Sequence, residues 1–387
     1  MAAVLLGAVR QPPLIVYTSP AGDRPAGADA AHPTDSVLPN GRLAAPAGKT
    51  IFVGTNPLGM ALTPDGRYAV VTNDDQRTGG LPIPDAQLQI GYSLAVVDTA
   101  TMRLVSVYRD PSAAFFLGVA AAPDPSDPSR TIVLASDGGG GVVRVFDLDA
   151  AGQLTPQAQP IALPANAGWR PYPAGIAIAP GGRIAYVVDN FDGAVTEVDL
   201  ATRAAVRTVK VGNFPLYVGA GAGHVVASAS GLMTYAAVSP APRIPQFAAP
   251  RFDPSASSSL AVLNLAAGDD VASQAAVPMD PQPDGSDDIG GAVPSSIVLT
   301  RNGLTAYVAL ANVDRVAVVS LEGQPHVVRG LDLRLYPNAP YGAVPSAQVL
   351  SPDGKRLYVA LAGLDAVAVL DARSPARYRY GLIPTGW

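Results

Sequence analysis

The segment PSAQVLSPDGKRLYVA, residues 345–360, contains two short apolar runs separated by the turn sequence Ser351-Pro352-Asp353-Gly354. Proline presets φ at the first corner of a turn, and glycine accepts positive φ at its exit, so the two runs are predicted to form a β-hairpin. The second run, LYVAL, is apolar on both faces of a strand. A strand of this kind has to be covered by other sheets on both sides.

The same pattern recurs along the chain. Clear copies are PLGMALTPDGRYAVVT at 57–72, PAGIAIAPGGRIAYVV at 173–188 and PSSIVLTRNGLTAYVA at 294–309. Two weaker copies begin at Phe116, where the turn is lengthened to 123–130, and at Pro215, where the copy is one residue shorter. The six copies start 42 to 79 residues apart. Repeats of roughly 40–50 residues that carry several short strands are typical of a β-propeller.

A second element follows each copy: SLAVVD at 93–98, VVRVFD at 142–147, AVTEVD at 194–199, SLAVLN at 259–264, RVAVVS at 315–320 and AVAVLD at 366–371. A polar turn and another β-branched run follow several of these, as at 103–109 and 204–212. Each repeat is therefore predicted to have four strands, although 232–238 competes with 259–264 for the third strand of the fourth repeat. The predicted fold is all-β: a β-propeller with six recognisable four-stranded blades, in which stacking buries both faces of each sheet.

The second-strand runs YAVVTN, AYVVDN, AYVAL and LYVAL resemble the YVTN-type β-propeller repeat. The entry segment at 36–59 and the exit GLIPTGW at 381–387 resemble the propeller part of bacterial proteins that fuse such a propeller to an alkaline-phosphatase-like domain. The resemblance covers residues 36–387. It implies a seven-bladed type whose last blade is incomplete here, or patched by N-terminal strands at 14–18, 36–44 and 50–53. It also implies a phosphatase-like domain or partner beyond the C-terminus.

Residues 1–35, rich in Ala, Pro and Gly, are expected to form an N-terminal arm, and residues 36–387 are expected to form the propeller.

The composition of the chain narrows the classes of function. The net charge of −5 and the lack of a basic stripe argue against nucleic acid and anionic membranes as partners. The absence of cysteine excludes disulfides and thiolate metal sites. No apolar run reaches the roughly 18–20 residues of a membrane span. The resemblance implies a periplasmic or extracellular protein; the chain shows no clear signal peptide, and a cytoplasmic location is the alternative.

The long connections are predicted to lie at one end of the blades. The turns between first and second strands are mostly tight, whereas the long segments follow second or fourth strands: 74–92, 160–172, 231–258, 279–293 and 332–344. In an antiparallel blade these connections share one end, which we call the insertion face. Loops on a rigid scaffold often carry function, so this face is the predicted binding face for a small molecule or a protein. The alternative is that insertions are merely tolerated there.

Two groups of side chains on this face are candidates for binding. Carboxylates and an amide that follow second strands can hold Ca²⁺ or a cationic ligand, or can simply be turn residues. Aromatic and basic residues ahead of first strands can stack on a sugar or peptide, or can pack between blades. The candidate residues are Asp74, Asp75, Trp169, Arg170, Tyr172, Asp189, Asn190, Phe214 and Tyr341. No cofactor is predicted, and calcium rests on the carboxylate pattern alone.

Catalytic motifs are absent from the sequence. The aspartates that repeat from blade to blade, such as Asp98, Asp199 and Asp371, are predicted to be structural turn residues. No Ser/His/Asp set can be assembled from the three histidines. The leading hypothesis is a non-catalytic binding or interaction module, which can also be the propeller part of a larger phosphoesterase. The alternative is a lactonase-like hydrolase that uses metal-bound water at the channel mouth.

Overall fold

The computed structural model describes residues 27–28, 35–38, 42–74, 92–164, 171–229, 233–234, 237–239, 246–247, 251–252, 258–265, 271–280, 291–336, 339–373 and 379–386. These residues form six four-stranded antiparallel blades, which confirms the predicted all-β propeller. A single 3-10 turn at Ala311–Val313 is the only helical element within these ranges. No helix in the described part of the chain has the length and hydropathy to cross a membrane. A seventh blade stays a prediction.

Each blade follows the chain order from its first to its fourth strand. The first strands are Pro57–Leu62, Phe115–Asp124, Pro173–Ile178, Val218–Gly221, Pro294–Leu299 and Pro345–Leu350. The second strands are Tyr68–Asn73, Asp127–Asp137, Ile184–Asp189, His224–Ala229, Thr305–Leu310 and Arg356–Leu361. The third strands are Ser93–Asp98, Val142–Leu148, Ala194–Asp199, Ser259–Leu265, Arg315–Ser320 and Ala366–Asp371. The fourth strands are Arg103–Arg109, Leu154–Pro156 continued by Ile161–Ala162, Ala204–Lys210, Val271–Pro278, His326–Asp332 and Arg379–Pro384.

The turn that the sequence analysis begins with forms as predicted. In the sixth blade the Gly354 N–H donates to the Ser351 carbonyl at 2.8 Å, and Gly354 adopts a φ of +67°. The Ser351 hydroxyl donates to Asp353 Oδ1, which also accepts the Lys355 N–H. The hydroxyl and carboxylate together close the corner, which explains why Ser or Thr precedes the Pro-Asp-Gly sequence.

Glycines near the start of the first strands let neighbouring blades approach closely. A Cβ at Gly118 would lie 2.0 Å from the carbonyl oxygen of Ala174 in the next blade, and one at Gly59 would lie 2.0 Å from that of Leu117. The first strands shift register at this point, and a hydroxyl of the second strand bonds the released amide, as Ser136 does for Gly118 at 2.8 Å. Only a residue without a side chain fits this contact.

The hydrophobic core is divided into clusters between consecutive blades. Five clusters join blades one to two, two to three, three to four, four to five and five to six. Among the residues described above, no cluster joins blade six to blade one. Met60 and Leu62 of blade one are 70% and 56% exposed, and Val349 of blade six is 57% exposed. The first strands of blades one and six therefore each expose apolar side chains on the face that does not contact a neighbouring blade in sequence.

The N-terminal segment bridges these terminal blades on the insertion face. Gly27–Ala28, Ser36–Val37 and Leu43–Ala44 pair as a small three-stranded sheet. The Ala47 N–H then donates to the carbonyl of Pro384 in blade six at 3.0 Å. The predicted strand at 50–53 is wrong: this segment is not part of a sheet. The Val53 carbonyl accepts the side-chain amide of Asn73 at 3.1 Å, instead of a partner strand.

Blades two and four differ in detail from the prediction. The first strand of blade two begins at Phe115 and extends with its partner into a long hairpin around residues 124–127. The first strand of blade four begins at Val218, three residues after the predicted start at Pro215. Its third strand is Ser259–Leu265; the competing residues instead pair inside the insertion, Met233–Thr234 with Arg251–Phe252 and Ala237–Ser239 with Gln246–Phe247. The proposed strand at 14–18 lies outside the described residues.

Candidate functional site

Buried carboxylates on the insertion face hold the connections between strands. Asp314 follows the second strand of blade five and is 1% exposed. Its carboxylate accepts the N–H groups of Gly342 at 2.7 Å, Ala343 at 3.0 Å and Val344 at 3.0 Å. The Asp314 side chain therefore fixes the end of the connection that leads into blade six. Carboxylate bonds of this kind are among the stronger hydrogen bonds in proteins.

Asp189 has the same role in blade three. Its Oδ1 accepts the N–H of Tyr172 at 3.0 Å and that of Asp192 at 3.3 Å. The pKa of Asp189 is raised to about 6: burial is the largest cause and the Asp192 charge adds to it, while the two backbone bonds and Lys210 oppose the increase. Asn190 donates its side-chain amide to the Pro215 carbonyl at 3.0 Å. Both residues therefore hold local structure at the mouth of the propeller.

Tyr172 lies in an aromatic cluster at this mouth. Its ring packs on Phe191 at a centroid distance of 4.6 Å and edge-on against Phe116 at 5.3 Å. A Cβ at Gly138 would lie 2.6 Å from the Tyr172 ring, so the glycine run of blade two makes room for it. Burial is the main cause that raises the Tyr172 pKa, with smaller contributions from Tyr92, Asp74 and Asp137. The Tyr172 ring therefore packs against aromatic residues of its own and the neighbouring blade, which is one of the two roles that the sequence analysis considered for it.

A cavity of about 240 Å³ opens on the same face between blades five and six. Residues 334–336 and 339–343 supply most of its wall, and Asp314, Gly363 and Leu364 supply the turns beside it. Arg42 of the N-terminal segment completes the wall, donating to the Gly363 carbonyl and to Asp365 Oδ2, each at 3.1 Å. Gly363 has to be glycine, since a Cβ would lie 1.8 Å from the Gly342 carbonyl oxygen.

Aromatic side chains form the rim of this cavity. Leu335, Tyr336 and Tyr341 line it and are exposed. The Arg334 guanidinium stacks 5.7 Å from the Tyr341 ring centroid, within the range of a cation–π contact. Arg334 is in turn held by Asp332, with Nε 3.0 Å from both carboxylate oxygens. The cavity therefore combines a flat aromatic platform with guanidinium groups.

The structure distributes the predicted binding residues over two places. Tyr172, Asp189 and Asn190 meet at the mouth near blade three, and Tyr341 lines the cavity. Asp74 accepts the side-chain amide of Asn56 at 2.6 Å. Phe214, at a φ of +45°, lies in the connection before blade four. Asp75, Trp169 and Arg170 lie outside the described residues, and a binding role for the whole set stays a prediction.

Sequence reasoning missed the two arginines of the cavity. Arg334 and Tyr336 fall within the insertion predicted at 332–344, so the sequence placed them on the insertion face. It did not indicate that they would line the same cavity. Arg42 lies 321 positions from Gly363, and no sequence signal indicates such a distant contact. The repeated aspartates are structural as predicted: Asp98, Asp199 and Asp371 each accept a backbone N–H two or three residues later.

The described residues contain no group of three or more His, Asp or Glu side chains placed to hold a metal ion. The buried carboxylates at the ends of the second strands bond to backbone amides, as Asp314 and Asp189 show. The calcium hypothesis is not tested by this geometry and stays a prediction.

Comparison with known proteins places the chain by its fold. No protein-family model matches the sequence, and no curated protein matches it. Among solved structures, a Lactobacillus plantarum protein has a TM-score of 0.60 at 14% identity, covering 91% of both chains. A protein from Bacteroides fragilis described as a putative 6-phosphogluconolactonase has a TM-score of 0.55 at 13% identity, covering 85% of both chains. The virginiamycin B lyase of Staphylococcus aureus has a TM-score of 0.50 at 12% identity, covering 85% of this chain and 84% of its own. These likenesses are to β-propellers and concern the fold alone.

Proposed function

We propose that this chain is a non-catalytic propeller of the YVTN-repeat type that binds a small ligand on its insertion face, in the cavity between blades five and six. The observation that carries the proposal is the cavity itself, with exposed Tyr336 and Tyr341 at its rim. Ligand sites are usually concave, largely preformed and lined by apolar and aromatic groups with a few polar ones. The three amide bonds to Asp314 support preformation, because they fix the wall at 342–344.

The cavity volume limits the size of the ligand. Since a water molecule occupies roughly 30 Å³ in the liquid, the cavity of about 240 Å³ corresponds to about eight waters. A ligand with one ring and a polar substituent fits this space. The Tyr341 ring, with Arg334 against one face, offers a platform on which a planar ligand can stack.

Saturation-transfer NMR with two ring-bearing probes, benzoate and benzamide, tests this proposal on the whole chain. We expect transfer to at least one probe, and loss of that signal in the Tyr341→Ala variant, because truncation removes the platform. Phe52→Ala is the matched control, since Phe52 is an exposed aromatic residue outside the cavity lining. The absence of transfer to either probe, or equal signals in the two variants, would overturn the proposal.

A hydrolase is the second candidate, and the observation that favours it is Asp189. A buried carboxyl with a pKa of about 6, close to the channel mouth, has the acidity of a general base. A pH-stat assay with gluconolactone, a substrate class suggested by the description of the Bacteroides fragilis structure, tests this alternative. Turnover by the natural chain that disappears in Asp189→Asn would favour the hydrolase. We expect no turnover, because the Asp189 carboxylate is bonded to two backbone amides.

A further inference from the structure

The charged residues that line the cavity are two arginines and one aspartate. Arg42 and Arg334 both line it, whereas their carboxylate partners, Asp365 and Asp332, do not. Each arginine is therefore held in place by a carboxylate that is not part of the lining. A guanidinium presents its donors in a planar fork that suits carboxylate and phosphate groups.

The acidic residue in the lining is Asp314. The hydrogen bond to Asp332 is the largest cause that raises the Arg334 pKa, and the charge of Asp314 is one of the smaller causes. Asp314 is almost fully buried, and the N–H groups of residues 342–344 are directed at its two oxygens. The three N–H dipoles offset part of the carboxylate charge. The remaining lining is Leu335, Ala339, Pro340, Leu364 and similar uncharged residues. An anionic group in the cavity would meet two guanidinium groups, the carboxylate of Asp314 with its charge partly offset by backbone amides, and otherwise uncharged residues.

We infer that the cavity binds a small organic anion, whose carboxylate or phosphate lies between Arg42 and Arg334 while its ring stacks on Tyr341. The inference rests on the proposed function and specifies its ligand class. The site needs the N-terminal segment, because Arg42 reaches it from the other end of the sequence. A neutral analogue of the same shape would keep the stacking contact and lose the charge-assisted hydrogen bonds.

The experiment compares three probes on the full chain by calorimetric titration at low salt. Benzoate carries a carboxylate, phenyl phosphate a phosphate, and benzamide is the neutral analogue of benzoate. We expect at least one anion to bind about tenfold or more tighter than benzamide, the factor for one charge-assisted hydrogen bond. Which anion binds tighter decides between carboxylate and phosphate ligands.

Arginine variants locate the anion. Arg334→Gln and Arg42→Gln should each weaken binding of the preferred anion by about tenfold, with benzamide unchanged. Arg373→Gln is the matched control, because Arg373 pairs with Asp371 in the same Asp-x-Arg arrangement as Arg334 with Asp332 but lies outside the cavity lining. Arg334→Lys keeps the charge without the fork and should be intermediate. Thermal melting of each variant verifies that it folds.

The possible results separate the two proposals. If benzamide binds as well as the anions and the arginine variants have no effect, the ligand class is wrong, but cavity binding stands provided that Tyr341→Ala abolishes it. If none of the probes binds, cavity binding itself fails, and the ligand class with it. Loss of anion binding in Arg373→Gln as well would point to general charge effects and overturn the assignment of Arg42 and Arg334.

Discussion

Replacement of Asp189 by asparagine should remove a pH-dependent loss of stability. The Asp189 side chain is 1% exposed and accepts two backbone N–H groups through Oδ1. Burial is the largest cause of its raised pKa, which is about 6. Asparagine keeps an oxygen at this position to accept the same bonds, but it carries no charge that has to be desolvated. The substitution therefore separates the hydrogen bonds from the charge.

The sign and size of the effect follow from proton linkage. Between the ordinary pKa of 3.8 and the folded value of about 6, the folded protein holds a proton that the unfolded chain has released. Stability from this group is therefore full below the ordinary pKa and decreases as pH rises through the window from about 4 to 6. Two pKa units correspond to about 3 kcal/mol. The asparagine variant should lack this decrease, so at pH 7 we expect it to be about 1–2 kcal/mol more stable than the natural chain, after a discount for the unbonded N–H of its amide.

Urea unfolding at pH 4, 5, 6 and 7 measures this difference. The stability of Asp189→Asn relative to the natural chain should increase steadily across the series and level off above pH 6. Asp353→Asn is an informative control, because hydrogen bonds from Ser351 and Lys355 lower the pKa of the exposed Asp353 to about 2. Its stabilising charge is present above the ordinary pKa of 3.8, so its effect should be constant from pH 5 to 7 and only slightly smaller at pH 4. An asparagine variant at 189 that is less stable at pH 7, or a difference that does not vary with pH, would refute the reasoning.

Three further variants test other parts of the structure. Asp314→Ala leaves three backbone N–H groups without their acceptor and should cost about 3–5 kcal/mol in urea unfolding; a loss below about 1 kcal/mol would contradict the assigned role. Gly118→Ala places a methyl group 2.0 Å from the Ala174 carbonyl oxygen, so it should cost about 3 kcal/mol or more, and a neutral result would show that the blades can separate freely. Lysine at both Met60 and Leu62 should reduce concentration-dependent self-association in analytical ultracentrifugation without lowering Tm, because both side chains are exposed apolar groups on a terminal blade; unchanged association would exclude that face.

The sequence predicted the blades well because their determinants are local. The turns at residues 63–66 and 351–354 combine a hydroxyl, a carboxylate and a glycine within four residues, and the structure forms the expected hairpins. The errors arise where local preference is overridden. Residues 50–53 have the composition of a strand, but no neighbouring strand edge pairs with them, and an asparagine side chain bonds Val53 instead. In blade four the first strand begins only at Val218, after the Pro215 carbonyl is used by Asn190.

The candidate site was harder to predict than the blades, since the same residue type serves different purposes at equivalent positions. Asp314 and Asp365 both end a four-residue turn after a second strand, in LANVD and LAGLD, and both adopt a φ near +50°. Asp314 accepts the amides of the next connection, whereas Asp365 accepts the Arg42 guanidinium. The difference depends on which segment lies alongside, and that information is not local.

The equivalent positions of Asp314 and Asp365 also explain why the cavity forms between blades five and six. In blade five the N–H groups of residues 342–344 satisfy Asp314, and residues 334–336 and 339–343 line the space beside it. In blade six the N-terminal segment takes the corresponding place and satisfies Asp365 with a guanidinium instead. A guanidinium from a distant segment therefore takes the place that backbone amides occupy at Asp314. The position of Arg42 is thus a consequence of how the N-terminal segment meets blade six. Blade two contains a local version of the same pairing, in which Asp137 accepts the guanidinium of Arg144 from the adjacent third strand at 2.7 Å.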